Sequence, residues 1–348
     1  MKIFVLLKKK YISILFLLFT VLLVVFANSN LSSAKKGLQL WANNVVPSLF
    51  PFFVAVELLN NTNLVYYLSK YLDTYMRPIF NLPGIATFPL IMGIISGFPV
   101  GAKIVSNLYS SGACTKEEAD RMLILSNNSG PLFVIGTVGY AFYGSSTIGV
   151  LLLVTHILAS LSVGVLIGLF SRIHKLSKVS AFNNSSSSNY AIQQHKDIGI
   201  SELGGVLGSS ITSAIKSILV IGGFVVIFSV IISMLNRTHL LSIIANFIST
   251  IIPVNDNLIS SFFTGIIEFT NGLSAIASVP LKDMSLKLAL SAFVLGFGGI
   301  SVTLQVLSII SKYKLSIKKY VLGRVLVGIV ASVYTFILFS MPMFNLNV

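Results

Sequence analysis

The stretch FPLIMGIISGFPVGAKIVSNLYSS, residues 88–111, decides how this chain is read. It is apolar enough for a membrane, yet its middle, Ser96-Gly97-Phe98-Pro99-Val100-Gly101, cannot stay an uninterrupted helix. Glycine and proline are the strongest local breakers of regular structure. Each half has only about 9–12 residues, too few to cross a hydrocarbon core of roughly 30 Å. A re-entrant helical hairpin is the expected outcome, entering the bilayer and returning to its own side.

The composition agrees with a membrane setting. Of 348 residues, 55% are hydrophobic and 10% charged, against roughly 25% charged in a soluble domain. The mean hydropathy is +0.90. Too few charges exist to cover a soluble surface, so soluble-enzyme readings are excluded and the lipid bilayer is the expected surrounding. The net charge of +14 would suggest nucleic acid in a soluble chain. Here it is a matter of membrane topology, and no nucleic-acid partner is expected. A single cysteine, Cys114, excludes a disulfide framework and a multi-cysteine metal site. The four histidines, His156, His174, His195 and His239, have no metal-ligand spacing. No metal or cofactor is therefore expected.

Outward from the hairpin, Thr115-Lys116-Glu117-Glu118 reads as a capping box that starts a helix near Lys116. That helix is broken in turn at Asn127-Asn128-Ser129-Gly130-Pro131, and Thr147 to Phe170 is a clean span. Before the hairpin, Leu64 to Arg77 is amphipathic, too polar to span, and suited to the interface. Leu38 to Leu59 is a span carrying Pro47, Pro51 and Glu57; Asn28 to Lys36 reads as a polar loop. Tyr11 to Phe26, after Lys8-Lys9-Lys10, is a signal peptide or a first spanning helix, with retention as a helix preferred. Trp41, Tyr66 and Tyr67 read as interfacial anchors.

The second half repeats this order. A span covers Val206 to Leu235, and an interfacial segment His239 to Ile252. An interrupted stretch, Leu258 to Val279, breaks at Glu268-Phe269-Thr270-Asn271-Gly272. A broken helix, Leu286 to Ile310, is interrupted at Gly296-Phe297-Gly298-Gly299, and the last span is Tyr320 to Phe339. Gly93-Ile94-Ile95 aligns with Gly265-Ile266-Ile267, and Asn128-Ser129-Gly130 with Phe297-Gly298-Gly299.

The expected fold is thus an all-α polytopic membrane protein of two inverted repeats. Each repeat has a re-entrant hairpin and a broken transmembrane helix, giving about seven spans plus two hairpins. The expected units are residues 1–37 (N-terminal helix and loop), 38–170 (repeat 1), 171–205 (a flexible cytoplasmic loop with a Ser/Asn tract), 206–341 (repeat 2) and 342–348 (tail). With the N-terminal lysines inside, Lys70, Arg77, Lys116, Arg121, Arg172, Lys175, Lys178, Lys196, Lys312, Lys314, Lys318 and Lys319 also fall inside, and Lys35, Lys36, Arg237, Lys282 and Lys287 outside, a positive-inside bias.

The runs GFPVGAK (Gly97 to Lys103), TKEEADRML (Thr115 to Leu123) and SNNSGPLFVIGTVG (Ser126 to Gly139) resemble the YlbJ, or SpoVV, family of sporulation integral membrane proteins. EFTNGLSAI (Glu268 to Ile276) and GFGGISV (Gly296 to Val302) agree with it, so the resemblance spans nearly the whole chain. The repeats also resemble the gate, or nucleoside-recognition, domain of concentrative nucleoside transporters and of the membrane part of FeoB iron transporters. The resemblance implies a role in endospore formation, with dipicolinic acid carried from the mother cell across the outer forespore membrane.

Interrupted hydrophobic segments at matching positions of two halves point to a transporter's binding site. Half-helix N-termini expose unpaired N–H groups and attract anions. The residues expected to bind substrate in repeat 1 are Ser96, Gly97, Pro99, Gly101, Lys103, Asn127, Asn128, Ser129 and Gly130. In repeat 2 they are Glu268, Thr270, Asn271, Gly298, Gly299, Ser301 and Gln305. The glycines could instead serve close helix packing. Lys103 could meet a substrate carboxylate, pair with Glu268, or snorkel to the cytoplasmic face. Glu268, an acid inside an apolar stretch, is expected to be functional, whereas Glu57 is expected at the interface. No Walker A run or Ser/His/Asp set is present, so an enzyme is not expected. The expected activity is secondary transport by alternating access; a nucleoside or other small-solute carrier and a non-transporting scaffold for cortex or coat assembly are the alternatives. Self-association stays open.

Overall fold

The computed structural model describes residues 2–62, 64–173, 202–280 and 284–340. The Ser/Asn tract and the tail 342–348 lie outside the described residues. The described chain is built from helices, with no strand.

The chain opens with α1 (Lys2–Val25), α2 (Ala27–Leu40), a π turn (Trp41–Val45) and α3 (Val46–Asn60). The polar stretch Asn28 to Lys36, expected as a loop, is therefore helix inside α2, and the boundary expected at residues 37/38 falls within that helix. Its polarity misled, because Ala34, Lys35 and Lys36 are good helix formers and no proline interrupts them. Asn30 ties the two helices together: its amide donates to the carbonyls of Leu22 and Leu23 in the last turn of α1, both at 3.2 Å. The π turn has a local cause. Pro47 lacks an N–H, and its ring would press on the carbonyl four residues back; widening the preceding turn relieves this, and the Val46 N–H bonds Trp41 O. Trp41, expected as an interfacial anchor, contacts a neighbouring helix. Its ring packs on Gly222 of α9 (Leu203–Arg237), and its indole N–H donates to Ile218 O at 3.1 Å.

α4 (Leu64–Phe80) is the amphipathic helix expected before the hairpin. Met76 and Phe80 are buried, while Tyr67, Tyr71, Tyr75 and Ile79, four residues apart, form one exposed stripe. The first hairpin follows as α5 (Thr87–Ser96) and α6 (Val100–Ser110). Its turn requires glycine: Gly97 has φ +81° and ψ −173°, a region in which a Cβ is strongly disfavoured.

α7 (Lys116–Ser126) starts at the expected capping box. The Thr115 N–H donates to the Glu118 carboxylate at 2.8 Å, and the Glu118 N–H to Thr115 Oγ1 at 3.3 Å. Thr115→Ala is expected to cost about 1 kcal/mol, seen as a drop of a few degrees in the thermal unfolding midpoint in detergent. Residues 127–130 are non-helical; a π-helix (Phe133–Phe142) and α8 (Ser146–Ile173) complete the first half.

After α9 come α10 (Leu240–Ser249), α11 (Asp256–Ile267), α12 (Phe269–Ser278), α13 (Met284–Phe297), α14 (Gly299–Ile310) and α15 (Ile317–Phe339). α9 begins at Leu203, so the expected loop to Gly205 ends sooner. Both breaks in this half are narrower than expected. The first is Glu268 alone, and Phe269 to Gly272 are already helix. The second is Gly298 alone, at φ +83°. The order long helix, short helix, helical pair, broken helix, long helix thus recurs, and each break falls about 170 residues after its counterpart.

Among the described residues, five helical segments are long and apolar enough to cross a membrane, α2–α3 and α13–α14 each counting as one, or six if α4 and α5, bent by 96° at their junction, also count as one span. Polar contacts mark the two ends of the bundle. At one end Arg121 donates to Ser171 Oγ at 2.8 Å, Arg172 to the carbonyls of Arg77 and Pro78, and Lys319 to Asp120 at 3.0 Å. At the other, Lys287 donates to the carbonyls of Ala277 and Val279. The Ser316 N–H, just past α14, reaches Asp120 Oδ1 in the first turns of α7 at 2.9 Å. The broken helix α13–α14 therefore ends where α7 begins, and the two run in opposite senses.

Candidate functional site at the paired helix breaks

The first hairpin is seated by the absence of side chains. A Cβ on Gly93 would lie 1.5 Å from Ser126 O, and one on Gly101 would lie 2.1 Å from the same atom. The two arms therefore straddle the last residue of α7, which puts the hairpin tip over the break at 127–130. A Cβ on Gly97 would lie 2.7 Å from the Gly130 nitrogen. The second hairpin closes differently, arm directly on arm: a Cβ on Gly272 of α12 would lie 2.0 Å from the Gly265 Cα of α11. Gly101 thus serves packing and does not line the cleft.

The four breaks meet. Phe98 at the first hairpin tip reaches Gly298, where a Cβ would lie 3.1 Å from its ring. Phe269, the first residue of α12, packs on Phe98 with ring centroids 5.8 Å apart and on Phe133 at 5.2 Å. Ser129 Oγ donates to Leu295 O of α13 at 3.5 Å. Gly299 approaches Gly265 O and the Phe269 nitrogen.

A cleft lies at this junction. Of the expected residues, Gly97, Ser129, Gly130, Thr270 and Gln305 line it; Phe98, Phe133 and Phe269 supply aromatic walls. It holds about 440 Å³ of empty space, open surroundings included, but the walls leave room for roughly one water molecule. In this conformation it admits no larger solute.

The polar groups around the breaks are buried. Ser96, Asn127, Asn128, Ser129, Glu268, Thr270, Ser301 and Gln305 all have little or no exposure. Some are held: Asn128 Nδ2 donates to Leu125 O at 2.8 Å, and Asn127 donates to the Tyr320 hydroxyl. Others have no hydrogen-bond partner among the described residues: Ser96 Oγ, Asn127 Oδ1, Thr270 Oγ1 and Ser301 Oγ. Buried polar atoms are normally satisfied; others without partners lie away from the breaks, at Thr87, Ser106 and Ser210 among them, so the four here are a local concentration of a wider feature.

The two hairpins differ in electrostatics. Glu268 is the N-cap of α12: its carboxylate accepts from the Thr270 N–H at 3.1 Å and the Asn271 N–H at 2.7 Å. Asn271 Nδ2 also reaches Glu268 at 2.9 Å and Ser229 of α9 at 3.0 Å. The N-terminus of α12 is thus occupied by the chain's own carboxylate, so Thr270 and Asn271 do not offer those N–H groups to an anion. No side chain caps α6, which follows Pro99.

Lys103 faces away from this junction. It donates to Glu57 at 2.9 Å and Ser213 at 3.2 Å, and Ser213 Oγ donates to Glu57 at 2.7 Å. The pairing with Glu268 does not occur, and Glu57 is held in an ion pair instead of sitting free at the interface. The pair is partly exposed, at 45% and 22%, so a double-mutant cycle of Lys103→Met and Glu57→Gln should yield a coupling of no more than about 1 kcal/mol. Cys114, in the loop before α7, is buried; burial and then nearby Glu118 push its thiol up to about 12. It stays protonated at neutral pH and is no nucleophile.

Two buried ionisable residues escaped the sequence reading. His156 of α8 accepts the Ser129 N–H through Nε2 at 3.2 Å. Arg324 of α15 donates from Nη1 to Ile124 O at 3.3 Å and to Asn128 Oδ1 at 3.4 Å. The available signal was each residue's isolation: His156 and Arg324 interrupt otherwise apolar spans, and polar groups inside a bilayer are costly and usually functional.

The chain is 32% identical over 332 residues to the sporulation integral membrane protein YlbJ of Bacillus subtilis (strain 168), covering 93% of this chain and 81% of the relative. The chain belongs to the YlbJ family of sporulation integral membrane proteins. A family model described as Gate, nucleoside recognition, matches residues 42–158, from the π turn into α8, and so includes the first hairpin and its break. No solved structure matches the chain. Membership of the YlbJ family makes this an integral membrane protein related to spore formation, with a transporter-like gate segment around the first half of the site.

Proposed function

We propose that the chain is a secondary transporter acting in sporulation, and that its solute is dipicolinate, moved from the mother cell across the outer forespore membrane by alternating access. The observation that carries this reading is the meeting of four helix breaks, two from each half, at a cleft that Thr270 lines, with the partnerless Ser96, Asn127 and Ser301 at the same breaks. Breaks at membrane depth are tolerated where they line a cavity. The opposite senses of α7 and α13–α14 support a pair of inverted repeats, whose rocking would open the cleft to alternate sides. Aromatic walls suit a planar pyridine ring. Export of a dianion from a negative-inside cell is favoured by about 2.3 kcal/mol per charge per 100 mV, so no coupling ion and no catalytic step is invoked.

The test is flux through the purified chain in proteoliposomes. Saturable dipicolinate movement that follows an imposed potential is expected; movement no faster than in empty vesicles would overturn the proposal. A nucleoside carrier is the second reading, favoured by the match of residues 42–158 to a nucleoside-recognition model. Inhibition of flux by nucleosides, with none by other pyridine carboxylates, would establish it instead.

A further inference from the structure

The least compensated charge in the described structure is Arg324. It is fully buried in α15, and its Nε and Nη2 have no hydrogen-bond partner. None of the three ion pairs among the described residues includes it. What it touches is neutral: Ile124 O in the last turn of α7, Asn128 Oδ1 at the first break, and the face of Phe98, with the guanidinium carbon 5.4 Å from the ring centroid. Carbonyls at a helix C-terminus favour a cation, but by only about 0.3–1 kcal/mol in ordinary settings. Burying a charge without a counter-charge costs several kcal/mol. Two of the contacts belong to the site itself: Phe98 is a wall of the cleft, and Asn128 adjoins Ser129, which also lines it.

We infer that Arg324 is the carboxylate-recognition residue of this transporter, its free Nε and Nη2 forming the two-pronged face that receives one carboxylate of the solute. Nε and one Nη of a guanidinium lie on the same edge and match the two oxygens of a carboxylate. Phe98 sits at the hairpin tip beside Gly97, so movement of that tip uncovers the guanidinium to the cleft. The substrate class is accordingly an organic acid with an accessible carboxylate, and a neutral isostere is excluded. This assignment rests on the transporter reading, and Glu268 sharpens it: the second hairpin presents a carboxylate of its own, leaving Arg324 as the site's cation.

The test measures ligand-induced thermal stabilisation of the full chain in detergent and, separately, flux in proteoliposomes. The probes are pyridine-2,6-dicarboxylate and its neutral diamide. The dicarboxylate is expected to stabilise the wild type and the diamide not. Arg324→Gln should lose the stabilisation, and Arg324→Lys should need at least tenfold more dicarboxylate, because an ammonium lacks the planar fork. If Arg324→Gln does not fold, the Lys variant decides: an unchanged half-saturating concentration means that Arg324 only caps α7 and overturns the assignment. Equal stabilisation of wild type and Arg324→Gln, or none of the wild type, overturns it too. Arginine-dependent stabilisation without flux would leave the site standing and sink transport. Flux that survives Arg324→Gln with unchanged KM would leave transport standing and sink the site.

Discussion

Gly93→Ala is expected to prevent the protein from accumulating in a monodisperse state. The added Cβ would lie 1.5 Å from Ser126 O and 2.6 Å from its carbonyl carbon. Both belong to the main chain, so no side-chain rotation relieves the clash. Either α5 lifts off α7, which separates the hairpin tip from the first break, or the end of α7 unwinds. The cost is at least about 3 kcal/mol, the upper range for overpacking. The control is Gly223→Ala, in the middle of α9 on an exposed face where an added Cβ meets nothing within 4 Å; helix propensity favours alanine there by up to about 1 kcal/mol. Size-exclusion profiles and thermal midpoints of the two variants give the comparison. If Gly93→Ala were as well behaved as Gly223→Ala, the straddling of Ser126 by the two arms would be wrong.

The same glycines show what the sequence could reveal. The interruptions were legible because Gly97, Pro99, Gly130 and Gly298 break helices by local sterics, which a reader can apply without tertiary contacts. Their meeting at one cleft was legible only in outline, through the matching order of the two halves. Whether a glycine binds or packs was not legible: Gly97 lines the cleft while Gly101, four residues on, rests on a carbonyl. Glu268 stands out as an acid in an apolar run, but its bonding to the Thr270 and Asn271 N–H groups depends on its own extended conformation, φ −141° and ψ 115°. The aromatic walls from Phe98, Phe133 and Phe269 were hidden among 25 phenylalanines. Arg324 reaches the breaks from an unbroken helix, so no helix breaker in its own segment marks it.

Glu268→Gln is expected to lower the unfolding free energy by about 2 kcal/mol, the upper range for loss of an N-cap, and to reduce solute flux. The carboxylate uses both oxygens, Oε1 for the Thr270 N–H and Oε2 for the Asn271 N–H and side chain. A carboxamide keeps one acceptor and turns an NH2 toward donors that it cannot satisfy. The start of α12 then loosens, and with it Phe269, which holds the two hairpin tips together through Phe98. Glu268→Asp separates charge from size, because Asp is a preferred N-cap yet one methylene shorter. Asp recovering both stability and flux would show that the capped carboxylate sets the geometry of the second hairpin. Asp recovering stability without flux would place the carboxylate oxygens themselves against the solute or a co-transported cation. Sporulating cells carrying each variant supply the physiological readout: dipicolinate content should fall for Glu268→Gln while the protein remains detectable in the membrane. Normal content with a stable Gln variant, joined by equally silent replacements of Asn127 and Asn128, would instead describe a scaffold whose polar breaks only hold its helices in place.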